Sequence, residues 1–179
     1  AQFSVDRFAL SEGNLVVDIG SNDGTLLKKF EQKGVNVLGI DPARAIAESA
    51  TKDGIETWPE FFDQKVADRI RKEKGPASLV TANNVFAHAD DLSGITDSIR
   101  SLLTPEGVFV FEVSYLGDVF EQTLFDTIYH EHVAYHSVIP LLNFFSAKGM
   151  DFFAAKRIDS HGGSLRGMVQ LNGGPHKTD

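Results

Sequence analysis

The sequence contains no cysteine in its 179 residues. Disulfide bonds and zinc sites with thiolate ligands are therefore excluded within this chain, and the absence fits a reducing compartment. Basic residues are outnumbered, with 17 Lys and Arg against 25 Asp and Glu, which gives a formal net charge of −8 at pH 7. A field of that sign repels nucleic acid and anionic lipid, so we expect neither as a partner.

Long apolar runs are also missing. No window approaches the roughly 18 uninterrupted apolar residues of a membrane-spanning helix, and residues 1–13 (AQFSVDRFALSEG) lack the charged and apolar regions of a signal peptide. We therefore expect a cytoplasmic protein. A chain of this length is expected to form one domain of about 100–200 residues, with a lead-in at 1–13 and a linker-like tail at 173–179.

The sequence does contain a regular alternation of short apolar runs and longer amphipathic stretches. Five apolar runs indicate strands, at residues 14–20, 35–40, 55–58, 78–82 and 107–113. Four amphipathic stretches indicate helices, at residues 24–33, 42–52, 61–74 and 92–103. A β-α unit repeated in this way predicts a doubly wound α/β fold with a mostly parallel sheet.

This alternation ends after the fifth predicted strand. Residues 114–136 form a polar and aromatic insertion, and Ser137 is the predicted N-cap of a helix over residues 138–148. Two further strands are predicted at 152–158 and 165–171. The short connection between these two strands predicts an antiparallel pair.

A glycine-containing turn, DIGSNDG at residues 18–24, follows the first predicted strand. Glycines at a strand-to-helix turn let a ligand approach the backbone, and the start of the helix offers free amide groups. The turn differs from the GxGxxG of dinucleotide sites, and Asp18 and Asp23 would repel a pyrophosphate but not a cationic ligand that carries adenosine. Asp41 ends the second strand, where an acid contacts ribose hydroxyls in such folds. A solvated turn would explain the glycines by themselves. It explains less well why Asp41-Pro42 also stands at the end of the second strand.

DIGSNDG followed by GIDP resembles the S-adenosyl-L-methionine site of class I methyltransferases. The departure is Asn22, because the family usually carries glycine at the middle of the loop. The resemblance implies a Rossmann-like sheet of seven strands with the last one antiparallel, ribose contacts from Asp41, and adenine near residues 58–62. Without the fold, Asn83 is explained equally well as a turn cap. The implied cofactor-binding residues are Asp18, Gly20, Ser21, Asn22, Gly24, Asp41, Pro42, Asn83, Asn84 and Val85.

Residues 129–136, YHEHVAYH, hold three of the chain's 6 histidines. One interpretation is a metal site, since His132 and His136 would share one face of a helix. The zinc pattern HExxH would need histidine at position 134, which is alanine, and a third ligand would have to come from His88 or His161. The spacing therefore argues against a metal site.

Proton transfer is a second interpretation of the same stretch, and a solvated polar turn is a third. Tyr129 and His132 are three residues apart and would point the same way on a helix. Glu131 is placed to orient an imidazole or to contact substrate hydroxyls. A histidine with a pKa of about 6.5 takes up a proton readily at neutral pH.

Three blocks resemble the sugar C-methyltransferases of deoxysugar biosynthesis: VFEVSYLGDVF, FDTIYHEHVAYHSV and SHGGSLR. Those enzymes methylate a nucleotide-linked 4-keto-deoxyhexose at C-3, and the resemblance covers residues 14–170. It implies that His132 is the general base and that Tyr129 and Glu131 lie in the sugar site. It also implies that His88, in NNVFAH, lies close to the reacting carbon or its keto oxygen.

The implied reaction is carbon methylation, with S-adenosyl-L-methionine as donor and S-adenosyl-L-homocysteine as product. A base removes the proton next to the ketone, and the resulting enolate attacks the sulfonium methyl group. Transfer to oxygen or nitrogen needs less base, so a cluster of imidazoles favours carbon. The resemblance gives His130 and His136 no role, and we expect both to be structural. A tight hairpin turn explains the glycines of HGGSLR as well as ligand contacts would.

Family members also carry a cysteine-rich zinc-binding region before this domain and a second α/β domain after HGGSLR, and neither occurs in these 179 residues. We therefore expect the cofactor domain, at residues 14–172, on its own, as an excised fragment, a natural minimal relative or a degraded product. In the case of a fragment, the missing family domains lie on the full-length chain. Two alternatives to a sugar C-methyltransferase stay open. One is a cofactor-binding domain without a complete substrate site, and the other is a methyltransferase acting on oxygen or nitrogen of a small molecule.

Overall fold

The computed structural model describes residues 1–125, 134–159 and 162–178. Within these ranges the strands are β1 (Leu15–Ile19), β2 (Asn36–Ile40), β3 (Thr57–Trp58), β4 (Ala77–Asn83), β5 (Leu103–Ser114), β6 (Met150–Ile158) and β7 (Ser164–Leu171). The α-helices are α1 (Gln2–Arg7), α2 (Thr25–Glu31), α3 (Arg44–Lys52), α4 (Gln64–Glu73), α5 (Leu92–Leu102), α6 (Leu116–Glu121) and α7 (Val138–Ala147). A short 3₁₀ turn, Phe86–His88, follows β4.

The strands form one seven-stranded sheet in the order β3-β2-β1-β4-β5-β7-β6. The pairs among β1 to β5 are parallel, whereas β7 runs antiparallel to both of its neighbours, β5 and β6. The predicted doubly wound α/β fold with an antiparallel last strand is therefore confirmed. The strand order reverses between β1 and β4, and ligands in open α/β sheets bind in a crevice at the carboxyl ends of the strands at such a point.

Two apolar cores cover the two faces of the sheet, because successive side chains of a strand point to opposite sides. On β5, Phe109 and Phe111 pack into the core shared with α4, α5 and α7, whereas Val108 and Val110 pack with α2 on the other face. Phe86 is fully buried in the first of these cores and stacks on Phe145 with ring centroids 6.0 Å apart. A buried aromatic side chain therefore anchors the turn after β4.

Several predicted element starts differ from the structure by one or more residues, among them those of α3, α4 and β5. The third helix begins at Arg44 rather than at residue 42, and the fourth begins at Gln64 rather than at residue 61. Asp63 sets the latter start, because its Oδ1 accepts a hydrogen bond of 2.9 Å from the Val66 N–H and caps the helix. Residues 59–63 are consequently a loop after β3. The fifth strand begins at Leu103 rather than at residue 107, since Leu103 already pairs with β4.

The lead-in and the tail both pack against the domain. Phe8, just after α1, packs against the second core. The ring of His176 stacks on Phe153 at 5.0 Å and meets Phe8 edge-on at 5.3 Å between centroids. The Gln170 side chain donates a hydrogen bond to the His176 carbonyl at 2.8 Å and accepts one from the His176 N–H at 2.9 Å. The described part of the tail is thus held in place, in contrast to the linker-like tail that the sequence suggested.

The predicted insertion at residues 114–136 is described only in part. It contains α6, and Tyr115 forms a parallel β-bridge with His136. Ser137 stands at the N-cap position of α7, as predicted, but its side chain makes no capping hydrogen bond. None of the helices in the described ranges is long and apolar enough to cross a membrane.

Candidate functional site

A cleft of about 1130 Å³ opens at the carboxyl ends of β1, β2 and β4, where the strand order reverses. Its walls come from the loops after β1, β2, β3 and β4 and from the first turns of α5. Ligand pockets typically have volumes of roughly 300–1,000 Å³. The cleft is therefore large enough for a ligand of nucleoside size, and it lies at the position that this topology predicts.

At Gly20, in the cleft wall, the loops after β1 and β4 approach each other closely. Its φ is +70°, and a Cβ atom at this position would lie 2.3 Å from Cγ2 of Val85. The Gly20 N–H donates a hydrogen bond of 2.7 Å to the carbonyl of Ile40. Only glycine satisfies both the backbone conformation and the contact, so this position connects the turns after β1, β2 and β4.

Asn22 explains how this loop departs from a glycine-rich one. Its φ is +52°, in the left-handed region that glycine adopts most easily and asparagine tolerates better than most residues. The Asn22 N–H donates a hydrogen bond of 2.9 Å to Oδ2 of Asp41. The asparagine therefore keeps the backbone course that a glycine would give.

Asp41 binds two main-chain groups at the edge of the cleft. Besides the bond from Asn22, its Oδ1 accepts a hydrogen bond of 2.9 Å from the N–H of Ala43. The side chain is buried, and the residue lines the cleft together with Pro42. Each carboxylate oxygen has a further lone pair, so Asp41 can accept ligand hydroxyls while it holds the glycine turn.

Asp18 lies behind this loop, outside the cleft wall. Its Oδ1 accepts a hydrogen bond of 2.6 Å from the Thr81 hydroxyl, and the carboxyl group is buried. Burial raises the pKa of Asp18 to about 7, the bond from Thr81 opposes that rise, and the negative charge of Asp41 adds to it. The side chain therefore links β1 to β4 just before the glycine turn.

Ser21 and Gly24 also stand away from the cleft wall. The Ser21 hydroxyl is buried without a hydrogen-bond partner among the described residues, and it packs on Gly39, where a Cβ atom would lie 2.4 Å from Ser21 Oγ. Gly24 is the N-cap of α2 and packs on Ile55. Of the implied cofactor-binding residues, those that line the cleft are Gly20, Asn22, Asp41, Pro42, Asn83, Asn84 and Val85.

The end of β4 supplies the opposite wall. Asn83 pairs with Glu112 on β5, and the Asn84 N–H donates a hydrogen bond of 2.8 Å to the Glu112 carbonyl. The carboxylate of Glu112 forms an ion pair of 3.0 Å with Arg166 on β7. The arginine of the HGGSLR block therefore has a partner at the end of the sheet. His88, two residues into the 86–88 turn, lines the cleft.

The end of β3 and the loop that follows it contain the aromatic residues near which the sequence placed an adenine. Trp58 is buried, with the Arg69 guanidinium 3.5 Å above its ring. Glu60 forms an ion pair of 2.7 Å with Arg69 and lines the cleft. Phe61 and Phe62 also line it, and Phe61 is 79% exposed. Within the predicted 58–62 stretch, Phe61 therefore has free ring surface for an adenine.

The cleft wall carries an excess of negative charge. Among the described residues of the wall, Lys65 is the one Lys or Arg, and the acids are Asp41, Glu60, Asp63, Asp90, Asp91 and Asp97. Several of these acids cap helices or form ion pairs, as Asp91 does with the N–H of Gly94 and Asp97 with Lys148. The sequence analysis did not predict Asp90 and Asp91 as part of the site, although they stand in the run HADD that follows β4. Such a wall favours a ligand that carries positive charge.

The candidate base and its neighbours, Tyr129, Glu131 and His132, lie outside the described residues. Their roles stay predictions. The HGG turn is described from Gly162 onward, and a Cβ atom at Gly163 would lie 2.2 Å from Oδ2 of Asp118. Close packing on α6 thus accounts for this glycine. Among the described residues, no group of three His, Asp or Glu side chains is arranged to hold a metal ion.

Residues 3–152 match the family described as Methyltransferase domain. The chain is 40% identical over 161 residues to C-methyltransferase NovU of Streptomyces niveus, across 90% of this chain and 38% of NovU. It is 28% identical over 110 residues to a ubiquinone biosynthesis O-methyltransferase of Paracidovorax citrulli, across 60% of this chain and 46% of that protein. The chain therefore spans less than half the length of either relative.

A solved structure with the same fold is magnesium protoporphyrin IX methyltransferase (ChlM) from Synechocystis PCC 6803 with bound SAH. It superposes with a TM-score of 0.70 at 16% sequence identity, across 96% of this chain and 79% of that one. The family match runs through the glycine turn, Asp41 and the 86–88 turn that together form the cleft. This chain therefore belongs to the methyltransferase domain family, whose methyl donor is S-adenosyl-L-methionine.

Proposed function

We propose that this chain binds S-adenosyl-L-methionine in the cleft and methylates a carbon atom next to a ketone. The observation that carries the cofactor assignment is the glycine turn, held by Asp41 at the edge of an acidic cleft. The cofactor bears a sulfonium and an ammonium group against one carboxylate, so an acidic wall suits it. The 40% identity to a C-methyltransferase favours carbon as the methyl acceptor.

The residues of the cleft fit the parts of this cofactor. Gly20 offers backbone without a side chain, and Asp41 offers carboxylate lone pairs to ribose hydroxyls. Phe61 offers an exposed ring to the adenine, which is the favourable use of an otherwise solvated aromatic. Asp18 links β1 to β4 just before the glycine turn, and its charge adds to that of Asp41 when it is ionised.

The bound cofactor supplies an electrophilic methyl group, and the chain must supply the rest of the chemistry. A general base takes the proton from the carbon next to the ketone, and we assign this role to His132. The C–H electron pair passes into an enolate, whose carbon then forms the new C–C bond as the C–S bond breaks and sulfur keeps that electron pair. His88 in the cleft wall is assigned to the keto oxygen, where negative charge develops.

The substrate that we assign is a nucleotide-linked 4-keto-deoxyhexose, methylated at C-3. Tyr129 and Glu131 are the residues assigned to the sugar hydroxyls. The runner-up is an O-methyltransferase of a small molecule, which the 28% identity to a ubiquinone biosynthesis O-methyltransferase favours. A second alternative is a cofactor-binding domain that needs further polypeptide to turn over, since the chain spans 38% of NovU.

The test separates cofactor binding from carbon chemistry. We expect micromolar binding of S-adenosyl-L-methionine by calorimetry, and exchange of the substrate's α-proton with solvent deuterium when a 4-keto sugar nucleotide is incubated with the protein. His132→Ala should abolish the exchange and leave cofactor binding intact, whereas His130→Ala, in the same stretch, should alter neither. Methyl transfer without deuterium entry would favour the O-methyltransferase. Binding without either reaction would favour the incomplete site.

A further inference from the structure

His136 is a buried histidine to which the proposed reaction gives no role. Its side chain is 7% exposed, and its ring lies 5.7 Å from the Phe86 ring at an interplanar angle of 35°. Burial lowers the pKa of the imidazole, and a hydrogen bond with the Phe86 main chain opposes that effect. Its Nε2 atom is buried and has no hydrogen-bond partner in the described ranges. A buried polar atom of this kind calls for an explanation, because most are satisfied.

The main chain of His136 is attached to a different part of the fold. It forms the parallel bridge with Tyr115, and its carbonyl accepts a hydrogen bond of 2.9 Å from the Leu116 N–H. This attachment fixes the backbone of His136 at the junction of β5 and α6. The side chain then reaches the turn after β4, so one residue connects the carboxyl ends of two neighbouring strands.

The turn that His136 holds is the one that brings His88 to the cleft. Phe86 cannot shift readily, because it is fully buried and stacked on Phe145. Two residues later, the His88 N–H donates a hydrogen bond of 2.9 Å to the Val85 carbonyl. Val85 lies directly over Gly20, where no side chain fits. A change at the Phe86 main chain would therefore move both His88 and the contact with the glycine turn.

We propose that His136 is a positioning residue, whose neutral imidazole fixes the 86–88 turn and so sets the place of His88 in the cleft. The assignment of a chemical role to His88 rests on the proposed function, but the hold on the turn does not. Burial lowers the pKa of His136. A proton on Nε2 would also create a buried donor with no acceptor among the described residues, which favours the neutral ring.

Two substitutions separate the hydrogen bond from simple packing. His136→Leu fills the site but donates no hydrogen bond, whereas His136→Asn keeps a side-chain N–H close to the position of the imidazole Nδ1. The matched control is His176→Leu, which removes another histidine packed against aromatic rings, on the other side of the sheet. The readouts are hydrogen exchange at the His88 amide, the dissociation constant for S-adenosyl-L-methionine, and kcat and KM for the keto sugar.

In His136→Leu we expect exchange at the His88 amide to be faster by about two- to tenfold, the range for loss of one hydrogen bond. We expect kcat to fall by a similar factor or more, with little change in cofactor affinity. His136→Asn should restore exchange and kcat most of the way, and His176→Leu should change neither.

Equal exchange and kcat in His136→Leu and wild type would overturn the proposal. So would an Asn variant that behaves like the Leu variant. If the wild type itself shows no turnover, the proposed function fails, but the exchange rates still decide whether His136 holds the turn.

Discussion

The carboxylate of Asp41 is joined to the main chain of Asn22 by a hydrogen bond of 2.9 Å. This bond ties the end of β2 to the glycine turn after β1, and a second bond of 2.9 Å from the Ala43 N–H fixes the other carboxylate oxygen. The acid that is assigned to the ribose is therefore also the residue that shapes the loop. Any change at this position acts on ligand contacts and on loop geometry together.

The first prediction concerns Asp41→Ala. Hydrogen bonds to charged groups contribute about 1.5–3 kcal/mol each, so the affinity for S-adenosyl-L-methionine should fall by about 10- to 100-fold or more. Asp41→Asn should lose less, because its amide oxygen still accepts one of the two main-chain bonds. Calorimetry and the fluorescence of Trp58, the chain's 1 tryptophan, report the affinity independently.

Asp23→Asn is the control for this change. Asp23 is an acid of the same loop, but it accepts a hydrogen bond from the Thr25 N–H at 3.0 Å and is not part of the cleft wall. Its affinity should stay close to wild type. An Asp41→Ala protein that is folded and binds the cofactor as well as wild type would contradict the assignment of this carboxylate.

The second prediction concerns the backbone of the glycine turn. Asn22 has a φ of +52°, so glycine should replace it at a cost within about 1 kcal/mol in unfolding free energy. Asn22→Val should cost about 1–2 kcal/mol more, since a β-branched residue is strained in the left-handed region. Urea denaturation measures both. Equal stability of the glycine and valine variants would show that the backbone leaves this conformation readily.

The third prediction concerns the contact between Gly20 and Val85. Gly20→Ala places a methyl group 2.3 Å from Val85 Cγ2 and keeps φ at +70°, so it should cost about 1–3 kcal/mol in stability. Val85→Ala removes the Cγ2 atom that the new methyl group would meet. The double variant should therefore be more stable than the sum of the two single losses, by about 0.5 kcal/mol or more in a double-mutant cycle. Strict additivity would mean that the two loops do not press on each other.

The alternation of apolar and amphipathic stretches was sufficient to predict the sheet, because burial of strands such as β1 and β4 requires continuous apolar runs. The same pattern placed Asp41 and Asn83 at strand ends, where the structure puts them. It could not show that Asp18 and Ser21 are not part of the cleft wall. Asp18 lies in β1 and is bonded to Thr81 of the neighbouring β4, a strand distant in sequence. Ser21 lies in an irregular turn, where the direction of a side chain depends on contacts such as the one with Gly39.

The pattern of apolar residues also did not predict the start of α4 or the burial of His136. The helix predicted from residue 61 starts at Gln64, because a single capping bond from Val66 to Asp63 decides its first residue. The burial of His136 follows from its bridge to Tyr115, a contact between segments that no local periodicity encodes. The helix start is therefore set by a local capping bond, whereas the position of His136 is set by a contact between segments that are distant in sequence.

The fourth prediction concerns Phe61, which is 79% exposed in the wall of the cleft. Phe61→Ala should weaken cofactor binding by about fivefold or more, because a stacked aromatic contact contributes about 0.5–1.5 kcal/mol beyond the area it buries. Stability should change little, since the ring buries little surface in the free protein. Phe120→Ala is the control, because Phe120 is 86% exposed on α6 and does not line the cleft. Equal losses of affinity in the two variants would argue against stacking on Phe61.

The last prediction concerns the buried carboxyl group of Asp18, whose pKa is raised by burial to about 7 from an ordinary 3.8. Below the ordinary value the group is protonated in both the folded and the unfolded chain. As the pH rises toward 7 the folded chain keeps the proton that the unfolded chain has lost. Because only the unfolded chain is ionised at Asp18 between the ordinary pKa and about pH 7, the unfolding free energy falls by about 1.4 kcal/mol per pH unit over this range. The loss persists at higher pH.

Asp18→Asn removes that loss, since the amide has a similar shape and no charge. The unfolding free energy of the variant relative to wild type should rise by about 2–3 kcal/mol between pH 5 and pH 8, as measured by urea denaturation. In Asp23→Asn the difference from wild type should stay flat over the same range, because hydrogen bonds with Thr25 lower the pKa of the exposed Asp23. Parallel stability curves for wild type and Asp18→Asn would mean that Asp18 is already ionised at pH 5. Its charge would then be compensated by neighbours other than Thr81.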